Sequence, residues 1–167
     1  MKEINVIPNG YRSYTVIFND DSVIGRLEYP KWYSSKATIN IGKDDSYSLE
    51  PKGFWQTHQE LKKDGVLILQ MQMKWNGGIT ITKPKETERF FSFQPIGFFK
   101  NGYVLVDYKG NELLHIRYNF SWKKSNMGYI ITCKDDFGND EFEQLLMLVS
   151  VHYYKAMQDA GAAIGTN

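Results

Sequence analysis

The run Leu145-Leu-Met-Leu-Val-Ser-Val-His-Tyr-Tyr154 decides the fold, because its first five residues are all apolar. Just before it, Asp140 and Glu143 have the spacing of a helix N-cap and its reciprocal acceptor, and no proline follows them. The pattern predicts a helix over about residues 140–160. Successive helical residues step about 100° around the axis, so the five apolar side chains point in every direction and no face of the helix can be exposed to water.

The residues before this helix have the composition of β-strands. Aromatic residues make up 15% of the chain, and Val, Ile, Thr and Tyr fall in short runs separated by Gly, Asn and Asp. Short connections between successive strands favour an antiparallel meander. The predicted strands cover residues 13–18, 23–29, 37–41, 46–50, 66–74, 79–83, 88–94, 103–108, 112–120 and 128–134.

A helix that is apolar all round has to be enclosed, and the strands are the only material available to enclose it. We therefore expect a mainly β fold over residues 1–167, a single domain in which an antiparallel barrel surrounds a central hydrophobic helix. The alternatives are a helix that caps one open end of the sheet and a helix that docks on a second subunit. A filled lumen leaves little room for a ligand, so any binding site is expected on loops or on the outer wall.

Three segments align without gaps, and each runs from a turn residue to a tryptophan. They cover residues 21–32, 64–75 and 111–122, and they recur about every 43 to 47 residues, the length of a few strands. A propeller is the rival architecture, but three blades are fewer than the usual minimum of about four. The repeat therefore favours a curved sheet or barrel.

The repeat, the pairs Gly53-Phe54-Trp55 and Gly97-Phe98-Phe99, and the run 145–154 together resemble the tubby C-terminal-like fold. That group includes tubby proteins, phospholipid scramblases and the plant LURP-one-related proteins. The resemblance extends from about Tyr14 to Met157 and implies roughly twelve strands around a hydrophobic helix. It also implies possible ligands, since tubby domains bind phosphoinositide headgroups through clustered Lys and Arg, and scramblases are associated with calcium and lipid movement. This sequence lacks the tubby phosphoinositide motif and the scramblase Cys-rich and Pro-rich stretches, so the scaffold can be kept without the function.

Composition restricts the possible partners. Twenty Lys and Arg against nineteen Asp and Glu give a formal charge of +1, so we expect no nucleic acid partner, and any charged site must be local.

No stretch is long and apolar enough to predict a transmembrane span. The N-terminal residues lack the pattern of a secretory signal, which predicts a cytoplasmic protein, membrane-peripheral if it binds lipid. The lone Cys133 excludes an internal disulfide and is expected to be a small core residue rather than a reactive thiol.

Two groups of basic residues are candidates for binding a phosphate headgroup. Lys83, Lys85 and Arg89 surround a predicted hairpin tip, and Lys123 and Lys124 follow a repeat tryptophan. Glu86 and Glu88 offset part of the positive charge of the first group. The simpler interpretation is therefore that these lysines and Arg89 are charged residues of an exposed turn, in contact with water.

A lysine also stands next to each tryptophan of the repeat, at Lys31, Lys74 and Lys123. An amphipathic ring beside a cation is typical of a membrane-interface belt. The favoured interpretation is nevertheless structural, with each tryptophan packed where a barrel strand ends.

Oxygen-rich side chains before the helix suggest a calcium segment, where the resemblance would place one in scramblases. The candidate ligands are Asp135, Asp136, Asn139 and Asp140. Their spacing does not match an EF-hand loop. A turn followed by a helix cap explains the same residues, so we expect no cofactor, with calcium as the alternative.

No pattern in the sequence predicts catalysis. His58 lies in a predicted loop, His115 in a predicted strand and His152 in the predicted helix, and none of the three has a metal-ligand spacing. His152 is expected to be a hydrogen-bonded core histidine. Nucleophile-elbow, phosphate-loop, dinucleotide and zinc-protease motifs are absent from the sequence, so we predict no catalytic residue and no enzymatic activity.

Two functions remain open. The first is a non-enzymatic domain that binds phospholipid or phosphoinositide headgroups at an anionic membrane surface. The alternative is a structural or protein-protein interaction scaffold with no lipid ligand, which would need an exposed apolar patch, with Tyr11, Tyr33, Phe91 and Tyr103 as candidates. The sequence does not predict the oligomeric state.

Overall fold

A computed structural model of the chain shows twelve β-strands followed by one helix. The structure describes residues 1–10, 12–18, 22–31, 34–53, 57–97, 102–119 and 128–164, with the side chains of the helix described as far as residue 161. The strands are β1 Lys2–Pro8, β2 Ser13–Phe18, β3 Val23–Glu28, β4 Ala37–Ile41, β5 Asp45–Lys52, β6 His58–Lys63, β7 Val66–Met73, β8 Ile79–Lys83, β9 Glu86–Pro95, β10 Tyr103–Val106, β11 Glu112–Tyr118 and β12 Tyr129–Cys133. The helix, α1, is Glu141–Ile164.

The strands form a closed antiparallel barrel. Each strand pairs with the next one along the chain, and β12 closes the ring on β1 in a register that runs from Lys2 opposite Cys133 to Val6 opposite Tyr129. All ten predicted strands are present. The three repeat segments contain β3, β7 and β11, so one repeat corresponds to four strands, and the barrel, rather than the propeller, is confirmed.

Two strands were not predicted, because their apolar residues are few. β1 buries only Ile4 and Val6 completely, and β6 (sequence HQELKK) buries a single apolar side chain, Leu61. β6 also corrects the prediction that His58 lies in a loop, since His58 is the first residue of this strand and pairs with Gln72 of β7.

The helix lies inside the barrel, as predicted. Every residue from Leu145 to Lys155 is buried, and α1 packs against β3, β4 and β11. The buried residues of α1 and of the inward faces of the strands form a single hydrophobic core. The helix ends at residue 164 rather than about residue 160, because a single glycine at 161 only weakens a helix, and the Ala162 and Ala163 that follow favour its continuation.

The predicted cap is present at the start of α1. The backbone N–H of Glu143 donates to Asp140 Oδ1 at 2.8 Å. The Glu143 carboxylate accepts from the backbone N–H groups of Gly138 at 2.7 Å and Asn139 at 3.2 Å. In a standard capping box it would accept from the N-cap residue itself, so these donors lie two residues and one residue further back, respectively. The cap holds the helix start in the mouth of the barrel.

The two ends of the barrel are named here by the direction of the helix. At the proximal end α1 begins, and Tyr47 at the start of β5 donates a hydrogen bond to Glu141. At the distal end α1 exits, and Lys155 lies beside Tyr29, which follows β3. Because the barrel is a simple meander, successive connections alternate between the two ends.

Candidate functional site

Trp75, at the distal end, is the most exposed large apolar residue among those that the structure describes. It lies in the turn between β7 and β8, and its relative exposure is 108%. The turn is well ordered by hydrogen bonds, since Lys74 N–H donates to Gly78 O at 2.7 Å and Gly78 N–H donates to Asn76 Oδ1 at 3.0 Å. The prediction that the repeat tryptophans pack structurally is therefore wrong for Trp75; Trp32 and Trp122, the other two, lie outside the described residues.

The six connections of the distal end are basic and aromatic. They span residues 9–12, 29–36, 53–57, 74–78, 96–102 and 119–128, and their sequences hold seven basic residues and no Asp or Glu. The basic residues are Arg12, Lys31, Lys36, Lys74, Lys100, Lys123 and Lys124. The aromatic residues are Tyr11, Tyr29, Trp32, Tyr33, Phe54, Trp55, Trp75, Phe98, Phe99, Phe120 and Trp122. Six of these residues belong to the part of the chain that the structure describes, namely Arg12, Tyr29, Lys31, Lys36, Lys74 and Trp75.

The connections of the proximal end have the opposite character. They contain eight Asp and four Lys, and only two aromatic residues. The acidic residues are Asp20, Asp21, Asp44, Asp64, Asp107, Asp135, Asp136 and Asp140, and the basic residues are Lys43, Lys85, Lys109 and Lys134. The near-zero total charge therefore conceals two sets of connections of opposite composition, one basic and aromatic and the other acidic.

At the distal end, a network of buried polar side chains joins β6 to α1. Gln59 Nε2 donates to the carbonyl of Ser35 at 3.3 Å, which turns Gln59 Oε1 toward α1. That oxygen accepts the hydroxyl of Tyr153 at 2.8 Å and lies 3.2 Å from Nε2 of His152. His152 Nδ1 lies 2.8 Å from the hydroxyl of Tyr29. These contacts fit a neutral imidazole that carries its proton on Nε2 and accepts from Tyr29.

Burial keeps this histidine neutral. Burial, with a smaller contribution from the nearby Lys155 ammonium, lowers the pKa of His152 to about 3. The prediction of a hydrogen-bonded core histidine is confirmed. Lys155 is itself 8% exposed; it pairs with Asp159 at 2.6 Å and lies 4.7 Å from the centroid of the Tyr29 ring.

The proximal end has an open pocket of about 330 Å³ beside the start of α1. Phe91 of β9 and Phe142 of α1 meet in it with their ring centroids 5.8 Å apart. The ammonium of Lys83 lies 4.0 Å from the centroid of Phe142. The pocket is lined by the end of β8, by β9 and β11, by the connections before β11 and α1, and by the first turns of α1.

The structure divides the basic residues predicted for headgroup binding. Lys83 and Arg89 line the proximal pocket, whereas Lys85 lies at the tip of the β8–β9 hairpin with φ of 67° and is exposed. Lys123 and Lys124 lie outside the described residues, and they belong to a connection of the distal end. Of the first group, the structure therefore brings Lys83 and Arg89 together in one pocket and leaves Lys85 outside it.

The predicted calcium segment takes part in local contacts. Lys2 Nζ donates to the backbone carbonyl of Asp135 at 2.9 Å and to Asn139 Oδ1 at 3.5 Å, and Asp140 caps the helix. In the described part of the chain, no three His, Cys, Asp or Glu side chains are grouped in a way that could hold a metal ion. Calcium binding by Asp135, Asp136, Asn139 and Asp140 stays a prediction.

Three further predictions concern single residues. Cys133 is buried, and burial raises the pKa of its thiol to about 11, as expected of a core residue rather than a nucleophile. Phe91 and Tyr103 are half-buried and pack against the core, so they do not supply the predicted apolar patch. Tyr11 and Tyr33, the other two residues proposed for that patch, lie outside the described residues.

Sequence reasoning missed the exposure of Trp75 and the contrast between the two ends. The contrast between the ends could have been predicted from the sequence. In a meander the odd-numbered connections lie at one end and the even-numbered connections at the other, so their compositions can be compared before the structure is known. Within the described residues, the structure contains no helix that is long and apolar enough to cross a membrane.

The fold has a known counterpart. The chain is similar to the X-ray structure of the protein AT5G01750 from Arabidopsis thaliana, with a TM-score of 0.58 over 90% of this chain and 88% of that chain. The two sequences are 8% identical, so the likeness shows a shared fold. No protein-family profile matches the sequence, and no curated protein matches it.

Proposed function

We propose that this protein is a non-enzymatic domain that binds an anionic membrane surface through its distal end. The observation that carries the proposal is the fully exposed Trp75, which stands beside Lys74 among connections that contain no acidic residue. A tryptophan ring is favoured at the level of the lipid headgroups, because one edge is apolar and the indole N–H is polar.

Electrostatics supports the same end. Each Lys or Arg close to an anionic leaflet contributes about 1 kcal/mol of attraction, which falls off within a Debye length. The distal connections carry seven such residues, whereas the proximal connections carry twice as many acidic as basic residues. An anionic surface therefore attracts one end and repels the other, which orients the protein on the membrane.

The shared fold gives this proposal a setting. A closed twelve-stranded barrel around a C-terminal helix fits the tubby C-terminal-like fold, and we propose that the chain is a member of that superfamily. Its tubby members bind phosphoinositide headgroups, and this lends support to a lipid ligand.

Vesicle sedimentation tests the proposal. The purified protein is mixed with vesicles of phosphatidylcholine alone, with added phosphatidylserine, or with added phosphoinositide, at low and high salt, with calcium or a chelator. We expect binding to the anionic vesicles that weakens at high salt. The double variant Lys74→Ala/Trp75→Ala should bind roughly tenfold or more weakly, since it loses one surface cation and one interfacial ring.

A matched control is available at the other end. Tyr108 and Lys109 are also an exposed aromatic residue beside a lysine, in the β10–β11 turn. Tyr108→Ala/Lys109→Ala should bind vesicles like the wild type. Equal losses in the two double variants, or no binding to any vesicle, would refute the membrane proposal and favour a protein-interaction scaffold.

A further inference from the structure

The proximal pocket has the composition of a ligand site rather than of a surface groove. Its floor is formed by the apolar side chains of Phe91, Leu113, Phe137, Phe142 and Leu146. Its volume of about 330 Å³ is at the lower end of the range typical of small-molecule sites. A floor of this kind suits an aromatic ring or a short alkyl chain.

Two cations stand on the rim of this pocket. Neither Lys83 nor Arg89 forms an ion pair with a residue that the structure describes, although Lys83 rests on the ring of Phe142. A cation that is not paired with a carboxylate can bind an anionic group of a ligand, and the apolar side chains next to it can contact an apolar part of the same ligand.

The acidic residues of the lining limit the charge of that anion. Asp107 accepts three hydrogen bonds from Lys109 and Asn111, while Asp140 and Glu143 accept backbone N–H groups in the helix cap. Both oxygens of Asp107, and one oxygen each of Asp140 and Glu143, are therefore committed locally, but the three charges remain. Together with Glu86 they outnumber the two cations, so the lining opposes an anion in proportion to its charge, and a single carboxylate held at Lys83 and Arg89 is opposed less than a multiply charged phosphate headgroup.

We infer that the proximal pocket binds a small monocarboxylic acid with an aromatic or alkyl body, its carboxylate at Lys83 and Arg89 and its body on the phenylalanine floor. This site is independent of the proposed membrane surface, because it lies at the opposite end of the barrel. Loss of one activity is therefore expected to leave the other intact.

Isothermal titration calorimetry with naphthylpropanoate tests the inference directly. We expect saturable binding with one site per chain. The uncharged naphthylpropanamide and the tail-free inositol trisphosphate should each bind at least tenfold more weakly, because the first lacks the charge and the second lacks the apolar body and carries excess charge.

The variant Lys83→Ala/Arg89→Ala should reduce naphthylpropanoate affinity at least tenfold, about the effect of losing one charge-assisted hydrogen bond. Lys85→Ala is the matched control, since it removes a lysine from the same hairpin but not from the pocket lining. Equal binding of acid and amide, equal loss in the Lys85 variant, or no binding of naphthylpropanoate would overturn the inference. Circular dichroism of each variant establishes that it is folded.

Discussion

His152 stays uncharged in the folded protein, and this makes stability depend on pH. In the unfolded chain a histidine takes up a proton below about pH 6.5, whereas burial lowers the pKa of His152 to about 3. Between these values the unfolded state binds more protons than the folded state. The free energy of unfolding should therefore decrease as the pH falls through this range, by about 1.4 kcal/mol per pH unit.

Urea unfolding from pH 7.5 to about pH 4.5 measures this effect. His152→Gln keeps one donor and one acceptor in the network and should show a shallower slope. His115→Gln is the matched control, because His115 lies on the outer wall beside Glu112 and is not part of the buried network. A His152→Gln slope as steep as that of the wild type would contradict a buried, neutral imidazole.

Single residues differ in how well the sequence predicts them. The burial of His152 could be predicted, because it stands in a helix that is apolar all round. Its partners could not, since Tyr29, which follows β3, and Gln59 of β6 are far from it in the chain and the sequence does not state how the strands are placed around the helix. The exposure of Trp75 was also unpredictable from the residue itself, because a large aromatic side chain is usually buried.

At the scale of the elements, the contact between α1 and β3 depends on one missing side chain. A Cβ atom built on Gly25 would lie 2.6 Å from Leu148 Cδ1 and 2.7 Å from the carbonyl oxygen of Asn40. Both distances are far below van der Waals contact, and the backbone oxygen cannot move away easily. Glycine at this position allows the helix and the strand to approach closely.

Gly25→Ala should therefore destabilise the protein by about 1–3 kcal/mol, the usual effect of overpacking a core. Gly161→Ala provides the control, because a Cβ at Gly161 in α1 meets no atom within 4 Å. That variant should be neutral or up to about 1 kcal/mol more stable, since alanine favours a helix. Chemical denaturation of both proteins gives the comparison, and a neutral Gly25→Ala would show that α1 does not pack tightly on β3.

The elements themselves were largely predictable, and the exceptions have a physical cause. Strands such as β4 alternate buried and half-buried residues, which is a direct signal. β6 buries the polar residues Gln59 and Glu60, because Gln59 joins the network of His152 and Glu60 pairs with Lys52 at 3.0 Å. A hydrophobic pattern cannot identify a strand whose buried residues are polar and satisfied by distant partners.

At the scale of the whole molecule, the barrel converts a sequence alternation into two chemically different ends. Every second connection is free of Asp and Glu and rich in aromatic residues, and the meander brings all of these to the distal end. A membrane surface and a small acid would therefore be bound by opposite ends of one barrel.

Labelling at single cysteines tests the orientation on the membrane most directly. An environment-sensitive fluorophore is attached at Thr57→Cys, on the distal end beside the end of β7, or at Asp44→Cys, in the proximal β4–β5 turn. Both positions are exposed, and Cys133 stays unlabelled because it is buried and burial raises its thiol pKa to about 11. With phosphatidylserine vesicles, we predict a blue shift of emission for the label at position 57 and none at position 44. A shift at position 44, or at neither position, would contradict the assignment of the distal end as the membrane-binding surface.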